Sequence, residues 1–126
     1  MEQVLILNPA DRVCLNWGRV AQLQNQLGET VAQDVLSRAM EELTLRLDHT
    51  RQFYEKSELK EMRKCTRSLV AIADQIGLDT LTMVAEDVLT CLDSGDHVAL
   101  AATCKRLMRT GKSSLSEIWD VQGLTV

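Results

Sequence analysis

Between residues 30 and 56, Leu36, Met40, Leu43, Leu47 and Tyr54 recur at steps of three, four and seven. That is the spacing of one face of an α-helix. A helix this long, apolar along a single stripe, cannot bury the stripe alone and must pack against other helices. The composition agrees. The chain is rich in Leu, Val and Ala, with one proline and one phenylalanine, which favours helix over strand.

The same period predicts four more helices. The first carries Val13, Trp17, Val20, Leu23 and Leu27 and stops at Gly28; a cap at Asn16 would start it later. The third covers 57–76, with Ser57 as N-cap and Leu59, Met62, Thr66, Leu69, Ala73 and Ile76 on its stripe, and ends at Gly77. The fourth starts near Asp79 and uses Leu81, Val84, Val88 and Leu92. The turn SGD at 94–96 closes it and offers Asp96 as the next cap. The fifth carries Val98, Ala101, Leu107, Met108, Leu115, Ile118 and Trp119. Gly111 inside it is expected to bend it or end it early. Trp17 and Trp119 are expected in the core. Short connections set successive helices antiparallel. The expected fold is therefore all-α: an up-down four-helix bundle with a short additional N-terminal helix, one domain over 1–126 with its core at about 12–121.

Composition narrows the function. The net charge of −4 is opposite to that of most nucleic-acid binders. No apolar run approaches the ~18 residues of a membrane span. The start, MEQVLILNPADR, has an acidic residue before its short apolar run and no small-residue cleavage site. A cytoplasmic protein is expected. Cys14, Cys65, Cys91 and Cys104 are far apart, with no close Cys/His pair, so no metal and no cofactor is expected and the thiols read as buried and reduced. There is no G-x-S-x-G and no P-loop.

The third helix has a distinctive outer side. With Leu69 at the centre of the buried face and ~100° per residue, Arg67 points away from the core. Lys60, Arg63, Lys64, Ala71 and Asp74 share that side, and Val70 lies on its flank. Four cations thus form a ridge on an acidic protein, beside a small residue. A solvated helix face accounts for such a ridge; so does a docking surface for an acidic partner.

These residues carry a resemblance. RSLVA at 67–71, followed by IADQIGL at 72–78, resembles the centre of the histidine phosphotransfer (HPt) domains of bacterial phosphorelays. There a long helix presents H-x-L-K-G and later ends at a glycine. Leu69 and Gly77 fall where the family has its leucine and glycine. QLGETVAQDVLSRAMEEL at 26–43 is similar to the family's glycine and long helix, and LTMVAEDVLTCLDSGDHVALAATCKRL at 81–107 to its final hairpin. The resemblance implies a signalling module that binds a response-regulator receiver domain or a histidine kinase through this helix.

It also implies lost chemistry. The family's histidine attacks a phosphoryl group held on a receiver aspartate. Arg67 stands at that position, and its guanidinium stays protonated with no lone pair for attack. The family's lysine and glycine are Val70 and Ala71 here. The expected role is therefore non-enzymatic, with Lys60, Arg63, Lys64, Arg67, Val70, Ala71 and Asp74 forming the partner-binding face. Two alternatives stand beside it: an active phosphotransferase using His49 or His97, and a structural or oligomerising helical bundle.

Overall fold

The structure, a computed structural model, describes residues 17–122, with side-chain surroundings from 18 to 118. Five helices and no strand occupy the described residues: α1 (Trp17–Leu27), α2 (Glu29–Glu55), α3 (Leu59–Gln75), α4 (Asp79–Ser94) and α5 (His97–Gln122). The all-α expectation holds, and the limits of α2, α3 and α4 lie within one or two residues of those read from the apolar period. Val13, Cys14 and Asn16 fall outside the described residues, as do the side chains of Trp17 and Trp119.

The three connections after α2 stop their helices in one way. After α2, Ser57 takes a left-handed φ of 58°. The Glu58 amide then donates to the Phe53 carbonyl (2.8 Å) and the Ser57 amide to Tyr54 (3.0 Å). After α3, Gly77 has φ 82°, with Leu78 donating to Ala73 (2.9 Å) and Gly77 to Asp74 (3.2 Å). After α4, Gly95 has φ 71° and Asp96 donates to Cys91 (3.3 Å). The paired bonds after α2 and α3, and the Gly95 and Asp96 amides donating to the Cys91 carbonyl after α4, satisfy carbonyls the helix ends would leave orphaned. Ser57 is therefore the terminator of α2. The expected N-cap role is corrected: Glu58 occupies the cap of α3, without a side-chain hydrogen bond. Asp96 does cap α5, its Oδ1 accepting from the Ala99 amide at 3.0 Å.

Such tight turns reverse the chain. α2 packs on α3, α3 on α4, α4 on α5, and α5 returns to α2, while α1 lies against α2. Cross-links fix the sense of the pairs. Cys65 Sγ reaches the Arg46 carbonyl (3.2 Å), Arg63 pairs with Asp93, Arg106 lies 3.8 Å from Asp87, and Cys91 Sγ lies 3.6 Å from Thr103 Oγ1. In each pair, moving up one helix means moving down its neighbour. The core inside this helical bundle joins Leu36, Met40, Leu43 and Leu47 of α2 to Met62, Leu69 and Ala73 of α3. Leu81, Val84 and Val88 of α4 and Leu100, Leu107 and Ile118 of α5 complete it. Buried Thr66 and Ser114 return their hydroxyls to the carbonyls one turn back, at 2.8 and 2.7 Å, so they bring no unpaired polar atom into it.

Gly111 neither bends nor ends α5, which runs on to Gln122. It is buried at the α2–α5 seam, where an added Cβ would sit 2.5 Å from Leu47 Cδ1 and 2.8 Å from Cδ2. The glycine is there for close approach. Gly111→Ala gains ~1 kcal/mol of helix propensity and incurs an overpacking cost of about 1–3 kcal/mol. A net loss is expected in urea unfolding. Combined with Leu47→Ala, which opens space, the same change is expected to destabilise less than the two single losses added. Strict additivity would disprove the seam contact.

Candidate functional site

The outer side of α3 is built by its amphipathic period. Met62, Cys65, Thr66, Leu69 and Ala73 are buried, which turns Lys60, Lys64, Arg67, Ala71 and Asp74 into solvent, all exposed. Arg67 sits mid-helix on this side. Among the described residues, Lys60 and Arg67 make no ion pair. Lys64 lies 3.8 Å from Glu61, an exposed and weak pair. Val70 is half-buried and packs against the core edge.

Arg63 differs from the expectation. It is turned sideways to α4, where it hydrogen-bonds Asp93, so it braces the α3–α4 pair and adds little to the outward ridge. Its flanking angle on the helix, combined with an acidic neighbour, is the reason. Asp74 contributes through its backbone. Its carbonyl accepts from Arg19 of α1 at 2.6 Å, tying the N-terminal helix to the end of α3.

Residues on α2 join the same face: His49, named above only as an alternative phospho-acceptor, and others that the helix period does not assign to it. Antiparallel packing brings Arg46, His49 and Phe53 opposite Lys64, Cys65 and Ser68, around a shallow groove of about 250 Å3. The His49 and Phe53 rings are tilted, with centroids 6.4 Å apart. Further along, Val35, Arg38 and Ala39 of α2 meet Ile72 and Gln75 of α3 around a second shallow groove of about 230 Å3. The face therefore spans two helices. Its cations are Arg38, Arg46, Lys60, Lys64 and Arg67, and its apolar parts are Val35, Ala39, Ala71 and Ile72. Arg46 also pairs with Glu42 at 3.3 Å. The signal for these residues was present in the α2 period, as positions flanking its buried stripe. Only the register of α2 against α3 shows which of them meet the ridge.

His97 is elsewhere, exposed at the first position of α5. Among the described residues the thiols are free: Cys65 and Cys104 are buried and Cys91 is half-buried. Burial, with a smaller contribution from Glu55, pushes the Cys104 pKa up, which keeps the thiol neutral and unreactive. Among the described residues, no group of three or more His, Cys, Asp or Glu could hold a metal ion. No helix among them is long and apolar enough to cross a membrane. The chain matches no protein-family model, no curated protein and no solved structure.

Proposed function

We propose that the chain is an HPt-like signalling module of a bacterial phosphorelay, of the four-helix HPt type, that does not accept phosphate. It binds a receiver domain, or a histidine kinase, through the α2–α3 face. One observation carries this reading: Arg67 is exposed at the middle of α3, flanked by Lys60 and Lys64, where the family resemblance places a phospho-accepting histidine. A guanidinium there cannot attack phosphorus, yet it can enter an acidic receiver pocket and hydrogen-bond its carboxylates. Occupying the pocket in this way would compete with an intact phosphotransfer protein.

The deciding test is phosphoryl transfer from a phosphorylated receiver domain, with Arg67→His run beside the unchanged protein. The expected result is binding without labelling for the unchanged protein, and acid-labile label on the Arg67→His variant. A second reading, phosphate accepted by His49, is favoured by that residue's place in the groove beside Arg46 and Lys64. Label on the unchanged protein that disappears in His49→Gln would establish it and overturn the first. Absence of binding across a panel of receivers and kinases would overturn both.

A further inference from the structure

The side of the bundle opposite the α2–α3 face is made by α4 and α5, and these two helices are oppositely charged. α4 carries Asp79, Glu86, Asp87 and Asp93 and no lysine or arginine. α5 carries Lys105, Arg106, Arg109 and Lys112 and no acid before Glu117. All eight of these side chains are exposed. Two exposed apolar residues lie on the same pair of helices, Met83 (51%) on α4 and Val98 (83%) on α5.

We propose that this α4–α5 face binds a second copy of the chain, forming a two-fold dimer. The argument is self-complementarity. In an isologous contact the same patch meets itself, so a patch suits a two-fold only if its own halves are complementary. Here they are. Place two copies face to face with the two-fold parallel to the helices. α4 of each then lies over α5 of the other at unchanged height. The level of an internal pair such as Asp87–Arg106, 3.8 Å apart, is repeated between the copies. Glu86 and Asp87 come level with Lys105, Arg106 and Arg109 of the other copy, and Asp79 comes level with Lys112. A two-fold across the helices would instead set α4 on α4, acid against acid. The charge pattern thus selects one axis and one register.

The occupant is chosen by what the chain itself offers. The cation stripe on α5 is complementary to an acidic helical surface, and α4 of a second copy is one. The contact is rich in exposed charge, so it is weak and salt-sensitive. Screening length falls from about 10 Å at 0.1 M salt to about 3 Å at 1 M. The dimer leaves both α2–α3 faces outward, so it is independent of the binding proposed for α3 and would make the assembly bivalent toward a receiver.

Sedimentation of the full chain over a range of concentrations tests this. In about 0.1 M salt the mass is expected to climb toward twice the monomer with concentration, and to return to the monomer in about 1 M salt. Two charge-swapped chains sharpen the test: Glu86→Lys with Asp87→Lys, and Lys105→Glu with Arg109→Glu. Each alone is expected to remain monomeric, while an equimolar mixture forms a heterodimer, because each swapped helix again meets its opposite. Lys105→Gln with Arg109→Gln, a milder change that keeps the helix formers, is expected to weaken the dimer without abolishing the fold, read by circular dichroism. A wild-type chain that stays monomeric at low salt, or swapped chains that dimerise alone as well as the parent does, would overturn the proposal.

Discussion

Glutamate at both Lys64 and Arg67 is expected to weaken receiver binding at least about 100-fold near 0.1 M salt. The two cations are neighbours on the outer side of α3, one turn apart, and both are exposed. Losing one partner of a desolvated interfacial charge pair costs about 2–5 kcal/mol, and 100-fold corresponds to about 2.7 kcal/mol. Reversal rather than neutralisation adds repulsion from the receiver's carboxylates, so the stated factor is a lower bound. Titration calorimetry against a receiver that binds the parent protein reads the effect. Lys105→Glu with Lys112→Glu on α5 serves as the control: it makes the same charge change on the opposite side of the bundle and, at a concentration where the chain is monomeric, is expected to leave receiver affinity within about twofold. Equal losses from both variants would mean that only net charge matters. No loss at Lys64 and Arg67 would remove α3 from the binding face.

The second large effect lies directly beneath. Leu69 is two residues from Arg67 and points into the centre of the core, fully buried. Its truncation to alanine removes three carbons from a packed site, and the surrounding helices can relax only in part. The expected loss is about 2–5 kcal/mol, a large share of the 5–15 kcal/mol typical of a whole domain. At roughly 4 °C per kcal/mol for a chain of this size, the melting temperature should fall by about 8–20 °C. Val98→Ala, at an exposed position, is expected to stay within about 0.5 kcal/mol. A Leu69→Ala protein that melts like the parent would show that α3 is not anchored as described, and with it the direction in which Arg67 faces.

Much of this fold is legible in the sequence because helices announce themselves locally. Leu36, Met40, Leu43 and Leu47 repeat on a short period, and all four are core residues. The glycines at 28, 77 and 95 mark helix ends, and each has the positive φ that glycine tolerates. The misreadings arise where two physical roles share one residue type. A serine at 57 suits an N-cap, yet the chain uses it to end α2 in a left-handed conformation. A glycine at 111 resembles a breaker, yet here it makes room for Leu47.

The outer side of α3 follows from its own periodicity, which correctly places Arg67 in solvent. What the period cannot supply is the neighbour. That Arg63 turns to Asp93, and that Arg46 and His49 line the groove beside Lys64, depends on the register between packed helices, which no single helix's period contains. The receiver or kinase partner is a proposal drawn from the family resemblance and the exposure of Arg67, and the experiments above test it.

The three tight stops after α2, α3 and α4 also bear on how quickly the molecule is made. Each joins helices that pack directly on one another, so most of the core is assembled between sequence neighbours, and topologies of that kind fold rapidly. Among the described residues, the α2–α5 seam around Leu47 and Gly111, and the tie from Arg19 to the Asp74 carbonyl, must wait for distant parts of the chain to meet. Hairpins can therefore form first and the ring close last. Damage at the seam is then felt mainly as faster unfolding, with the folding rate nearly unchanged. The two arms of a denaturant chevron for Gly111→Ala would separate these effects, and a slowed folding arm would place ring closure early instead.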